Sequence, residues 1–193
     1  MATNHGNSIC GLRDCVPILK GIALVTTSLY AGSSLYISMC EHPSRMLLPN
    51  EFALKQWKNS IQGAKKLQCG LVALASASSL LTFGSIANAI CHATATTSNA
   101  ISDSVRHCCH CKGTTWLASG LLMASIVPIS KLCMEPICKQ LNSNTIDTFD
   151  DSTRQLLNKW GKCNWVKTLI SLGAVSLLYC KLFRHSHIFL TTK

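Results

Sequence analysis

Apolar residues in this chain lie in long blocks that are separated by shorter polar stretches. Three stretches carry no charged side chain, at residues 21–40, 67–91 and 113–130, and the last continues past Lys131 to Met134. A helix needs roughly 20 apolar residues to cross a bilayer. Three buried helices of a soluble protein are the alternative, but the chain has too few polar residues to cover them. The pattern therefore predicts three membrane spans.

A fourth apolar stretch, at 168–180, is too short to cross a bilayer by itself. Lys167 and Lys181 flank it, and lysines at helix ends extend their ammonium groups to the lipid headgroups. Trp165 and Phe183 add interfacial anchors and make the span long enough. An amphipathic helix on the membrane surface is the alternative, but 168–180 has no polar face.

We therefore predict an all-α fold in which residues 1–193 form one domain, an integral, multi-pass membrane bundle of four transmembrane helices. Apolar residues recur at helical spacing within 51–67, and a matching piece precedes the fourth span. This pattern predicts interfacial helices in the first and third loops. The four spans cover about 16–40, 67–91, 114–134 and 165–183.

Composition and charge agree with a membrane location. Hydrophobic residues make up 48% of the chain, charged residues only 13%, and the net charge of +10 lies in the loops. Nucleic-acid binding is one explanation of a basic chain, but no motif of aromatic and basic residues supports it. Attraction to anionic headgroups explains the charge more simply. The expected partners are membrane lipids and a small aromatic or apolar ligand, with no nucleic acid.

The chain has twelve cysteines, which lie mostly at the ends of spans. Free or acylated thiols are more typical of such positions than a disulfide framework. His107-Cys108-Cys109-His110-Cys111 is the exception, because these residue types bind zinc and copper. Adjacent residues cannot all face one tetrahedral ion, however, and no second ligand pair follows at a suitable spacing. We predict no metal and a reduced or acylated segment.

Two parts of the chain are similar to each other. The first span ends in Glu41-His42-Pro43, and the third ends in Glu135-Pro136. Each is followed by a polar stretch, a helical piece with one tryptophan, lysines and the next span. The chain therefore consists of two related helical hairpins, whose loops lie on the same side of the membrane. We expect one face to contain Glu41, His42, Trp57, Glu135 and Trp160.

The same segments resemble a known family. Residues 30–45, ending in Glu41-His42-Pro43-Ser44-Arg45, look like the first helix of the anthrone oxygenase-like family of small four-helix membrane proteins. The stretches 126–136 and 156–161 resemble its third-helix ending and its lead into the fourth helix. The resemblance covers about 17–183. It implies oxidation of a phenolic or polyketide-like aromatic by oxygen, without a cofactor.

The chain also departs from the family pattern. Ile137-Cys138 replace a common Thr-Asn pair, and Asn164 and Lys167 replace a common His and Arg. Most members of the family have no assigned activity. The alternative is therefore a non-catalytic membrane scaffold, subunit or lipid-binding protein.

An anthrone has an acidic C–H bond, and its anion reacts directly with oxygen, so the protein must supply a base, an apolar pocket and a positive charge. His42 is the candidate base, and Glu41 would set its tautomer. Trp57 or Trp160 would stack on the flat substrate. Alternatively, Pro43 ends the span, Glu41 and His42 face water, and the tryptophans are interfacial anchors. The predicted substrate-binding residues are Trp57, Trp160, Arg45, Lys167 and Glu135.

Overall fold

The computed structural model describes residues 6–96, 102–143 and 151–190, with side chains described for 15–89, 91, 113–143 and 151–183. Helix accounts for 97% of these residues, and they contain no strand. The predicted all-α fold is therefore confirmed. The α-helices are α1 (Gly6–Tyr36), α2 (His42–Met46), α3 (Asn50–Thr96), α4 (Ser102–Ile129), α5 (Glu135–Asn142) and α6 (Asp151–Leu190).

Four helical stretches are long and apolar enough to cross a membrane, as the sequence predicted. Their outer surfaces expose large apolar side chains such as Leu29, Leu74 and Leu169. Hydroxyl groups lie inside instead, and the buried Thr27 Oγ1 donates to the Ala23 carbonyl at 2.6 Å. The four stretches are Cys15–Met46, Asn50–Ala89, Gly113–Asn142 and Asp151–Phe183.

The four long helices form a ring in which α3 packs on α1 and α4, and α6 packs on the same two helices. Small residues allow the close approach of α3 and α4. A Cβ added at Gly120 would lie 3.0 Å from Leu80 Cδ2 and 3.2 Å from Ser79 Cβ. Helices that lack side-chain bulk at their contact pack closely in lipid.

The first and third spans end in two five-residue π-helical segments, Ile37–Glu41 and Ser130–Met134. The His42 N–H donates to the Ile37 carbonyl, five residues back, and the Glu135 N–H donates to the Ser130 carbonyl in the same way. A proline follows each segment and cannot donate a backbone hydrogen bond. The helical conformation does not end at Pro43, because α2 continues to Met46.

The helical pieces predicted for the first and third loops are not separate helices. Residues 51–67 belong to α3, which is unbroken because no proline lies between Asn50 and Thr96. Ala53, Leu54 and Trp57 are buried against the bundle. The apolar face of this stretch therefore packs on protein, and the third-loop piece similarly forms the start of α6.

The ends of the two hairpins meet, as the repeated pattern predicted. Side chains from both hairpins form one apolar cluster at this end of the bundle. Its members are Ile37, Ala53, Leu54, Trp57, Met134, Leu141, Leu157 and Trp160.

Candidate functional site

A cavity of about 480 Å³ lies at the end where the hairpins meet. Its volume is within the range of roughly 300–1,000 Å³ that small-molecule sites occupy. Apolar side chains from all four long helices make up most of the lining. The polar groups include Gln68 on α3 and both Asn164 and Lys167 on α6.

One stripe of α6 supplies the chemically varied wall of the cavity. Trp160, Asn164 and Lys167 all line it. They are four and three residues apart, which is the spacing of side chains on one helix face. At 1.5 Å per residue the stripe is about 10 Å long. A ligand along α6 would therefore meet an aromatic ring, an amide and an amine in that order.

The two predicted tryptophans form an aromatic corner of the cavity. Trp57 and Trp160 are 0% and 3% exposed, and their rings pack edge to face with centroids 6.2 Å apart and planes at 85°. Aromatic pairs favour this geometry. Trp165 is more exposed and does not line the cavity, whereas Trp57 and Trp160 do.

Lys167 is buried in the cavity wall with only 5% of its surface exposed. Its Nζ donates to Gln68 Oε1 across 3.4 Å. The described side chains form two ion pairs, Arg45 with Glu41 and Lys139 with Glu135, and neither includes Lys167. An isolated buried charge is costly. Lys167 is therefore a buried amine without a carboxylate partner among the described residues.

Two amides beside Lys167 carry atoms without a protein partner. The Asn164 Nδ2 donates to the Ser34 carbonyl at 3.3 Å and to Ser38 Oγ at 2.8 Å. These bonds assign the amide orientation, because only the nitrogen can donate to a carbonyl. Among the described residues, Asn164 Oδ1 and Gln68 Nε2 are buried without a hydrogen-bond partner. Such atoms are uncommon in folded proteins.

His42, Glu41 and Arg45 are not part of the cavity lining, but His42 and Arg45 contact Trp160, which is. The His42 ring centroid lies 5.9 Å from that of Trp160, and the Arg45 guanidinium carbon lies 5.5 Å from it. Arg45 is fully buried, pairs with Glu41 and donates to Ser60 Oγ at 3.1 Å.

Gly161 allows His42 to approach α6. A Cβ at this position would collide with the imidazole ring. Glycine permits such close contact because it has no side chain. Trp160 and Gly161 therefore act together, since one forms the cavity wall and the next leaves room for the histidine that packs against it.

The predicted site residues thus fall into two groups in space, and their chemical roles stay predictions. The cavity group also includes Glu135, which pairs with Lys139 at 3.1 Å. The sequence did not predict three features of the site, which are the inward position of Gln68, the position of Asn164 and the contact at Gly161. Gln68 is a polar residue near the start of an uncharged stretch, but only the fold shows that it faces inward. The cavity group is Trp57, Trp160, Lys167 and Glu135, and the second group is Glu41, His42 and Arg45.

The segment 107–111 lies on α4, but its side chains are outside those described, so the absence of a metal there stays a prediction. Among the side chains that are described, no group of three or more His, Cys, Asp or Glu is placed to hold a metal ion. None of the eight cysteines whose side chains are described is in a disulfide bond.

The fold and site define a helical bundle with four membrane-length helices and an internal cavity of ligand size. The family model described as anthrone oxygenase matches residues 57–177, more than half of the chain. The chain therefore belongs to the anthrone oxygenase family, which confirms the resemblance. No curated protein and no solved structure matches it. The matched residues include the cavity walls from α3, α4 and α6.

Proposed function

We propose that this protein is a multi-pass membrane enzyme that oxidises an electron-rich phenolic aromatic of the anthrone type with molecular oxygen. The observation that carries the proposal is Lys167, a buried lysine without a carboxylate partner among the described residues, in the wall of an aromatic cavity. Family membership supports the reaction class. The four long apolar helices support the membrane location.

The cavity suits a flat ligand with one polar edge. Its rings would lie against the corner formed by Trp57 and Trp160, where aromatic contacts contribute about 0.5–1.5 kcal/mol each. The oxygen of its carbonyl group would face Lys167. When the C–H bond opposite that carbonyl loses a proton, the negative charge moves to this oxygen. The lysine then stabilises the anion more than the neutral substrate, as catalysis requires.

In this proposal the C–H proton passes to solvent, because Lys167 faces the carbonyl oxygen on the opposite edge of the ring. The ammonium of Lys167 holds the enolate oxygen. The anion passes one electron to oxygen, and the resulting radical pair combines into a C–O bond. The peroxide takes a proton from solvent. Loss of the second C–H proton and of hydroxide then gives the quinone and one water.

His42, which the sequence predicts as the base, lies outside the cavity lining and contacts Trp160. The proposed scheme therefore gives His42 the role of supporting the aromatic wall. Glu41 and Arg45 support the same wall, because the Arg45 guanidinium lies over the Trp160 ring.

The test uses membranes that contain the protein, an added anthrone and a spectroscopic measurement of quinone, with empty membranes as the control. Lys167→Met removes the amine while it keeps an unbranched side chain. We expect it to slow turnover on the order of 10²–10³-fold, as for loss of one group that stabilises the charge developing in the transition state. Lys162→Met is the matched control, because Lys162 is an exposed lysine on the same helix.

Full activity of folded Lys167→Met would refute the role of this lysine. A folded protein that turns over no anthrone would instead favour the alternative function, a non-catalytic membrane scaffold or lipid-binding protein.

A further inference from the structure

We infer that Asn164 determines specificity: its Oδ1 accepts a hydrogen bond from a hydroxyl group of the ligand, beside the oxygen that Lys167 and Gln68 hold. The inference rests on the proposed function for the class of ligand. It assigns to Asn164 a role that neither the family membership nor the candidate catalytic chemistry supplies.

Asn164 Oδ1 is a buried acceptor that has no hydrogen-bond donor among the described residues. Asn164 is 1% exposed and lines the cavity. Its nitrogen is fully used by bonds to the Ser34 carbonyl and to Ser38 Oγ, and turning the amide over would lose the bond to the carbonyl, which only a donor can make. The oxygen is thus fixed, buried and without a partner among the described residues. A buried acceptor that lacks a donor is unfavourable, so a ligand that supplies one is favoured.

Two hydrogen-bond donors complement this acceptor in the cavity. Lys167 Nζ and Gln68 Nε2 are donors on the same cavity, and Gln68 Nε2 also has no partner among the described residues. Asn164 and Lys167 are about 4.5 Å apart along the helix axis. One acceptor and two donors therefore line the same cavity. The ligand edge that satisfies all three carries an O–H donor and, on the same side of the ring system, a carbonyl or enolate oxygen.

A methyl ether on the ligand would be a poor substitute for this hydroxyl. It would leave Oδ1 buried without a donor and would add a methyl group beside it. Sites built to bind a ligand hydroxyl discriminate strongly against analogues that lack it, because the protein group stays unpaired.

The test measures binding, so that it does not depend on turnover. The probes are 2-hydroxyanthraquinone and 2-methoxyanthraquinone, at mildly acidic pH where the phenol keeps its proton. Their Kd values would be measured with the full-length protein in lipid nanodiscs by quenching of tryptophan fluorescence. We expect the hydroxyl compound to bind on the order of tenfold more tightly, as for one buried hydrogen bond.

Asn164→Leu removes Oδ1 and is expected to bring the ratio of the two Kd values close to one. Asn164→Ala should do the same without added bulk, so a folding defect in one variant does not decide the result. Ser38→Ala is the control. It loses a bond from Asn164 Nδ2 but keeps Oδ1, and Ser38 does not line the cavity, so the preference for the hydroxyl compound should remain.

Equal binding of the two probes by the unaltered protein would overturn the inference. So would a preference that survives in both Asn164 variants, or one that disappears in Ser38→Ala. A protein that shows the expected ratios but oxidises no anthrone would refute the proposed reaction while it leaves this role of Asn164 standing. Turnover without discrimination would do the reverse.

Discussion

The first spans of the two hairpins end in the same backbone geometry, but different side chains occupy the two ends. In each, a π-helical segment precedes a short helix with a proline in its first turn. His42 and Glu135 occupy the same place, directly before that proline. Yet His42 is buried against Trp160, whereas Glu135 lies at the cavity and pairs with an exposed lysine.

The ion pairs show the contrast most clearly. Both join residues four apart on one helix stretch. The Arg45 side chain is 0% exposed and its partner Glu41 is 20% exposed, while Lys139 and Glu135 are 75% and 42% exposed. The π-helical segments only change the direction of the chain. The facing helix decides what is buried, and α6 presents Trp160 and Gly161 to the first hairpin end.

Removal of the buried pair's acidic partner should have the largest effect on stability. Glu41→Gln leaves the Arg45 guanidinium buried without an anion, which costs roughly 3–5 kcal/mol when a pair is fully buried. Because Glu41 is partly exposed, we expect about 3 kcal/mol. Equilibrium unfolding in mixed detergent micelles would measure it. Glu135→Gln, the matched change at the second hairpin, should cost much less, because that pair is exposed to solvent.

The double variant Glu41→Leu with Arg45→Met sharpens this test. It removes both charges, so most of the lost stability should return. Equal costs for Glu41→Gln and Glu135→Gln would show that the two ends are energetically alike.

A smaller effect is expected from Gly161→Ala, which places a Cβ against the His42 ring. Overpacking of this kind costs roughly 1–3 kcal/mol. Gly173→Ala on the same helix is the control, because nothing lies within 4 Å of a Cβ there. Adding His42→Ala to Gly161→Ala should restore stability, since the colliding ring is then absent. No rescue would mean that the contact of Gly161 with His42 is not the source of the loss.

The smallest expected effect is that of His42→Ala on catalysis. The imidazole contacts Trp160 rather than the cavity, so its loss should loosen the aromatic wall. An aromatic contact of about 0.5–1.5 kcal/mol corresponds to roughly a two- to tenfold increase in KM. We expect kcat for anthrone oxidation to change less than KM. A fall in kcat on the order of 10²–10⁴-fold would instead establish His42 as the base that the sequence predicts.

The sequence predicted the parts of the fold that depend on long apolar runs and on the similar endings of the first and third spans, each with a glutamate and a proline. It could not predict which side chains turn inward at the ends of the hairpins. Each π-helical segment adds one residue to a turn and thereby rotates everything that follows, including Arg45. The burial of Gln68 and Asn164 depends on contacts between helices that are distant in sequence, as does the need for glycine at position 161.

The length of α3 has a consequence for kinetics. Its 47 residues extend about 70 Å, whereas the hydrocarbon layer of a bilayer is roughly 30 Å thick. The cavity-lining residues of α3 run from Trp57 to Ser76, while the predicted lipid-embedded stretch starts near residue 67. With that boundary, we expect the cavity to straddle the transition from hydrocarbon to headgroups. An apolar substrate reaches such a site after partitioning into lipid, so its apparent KM per volume of water rises with the amount of lipid. The KM expressed per mole of lipid stays constant.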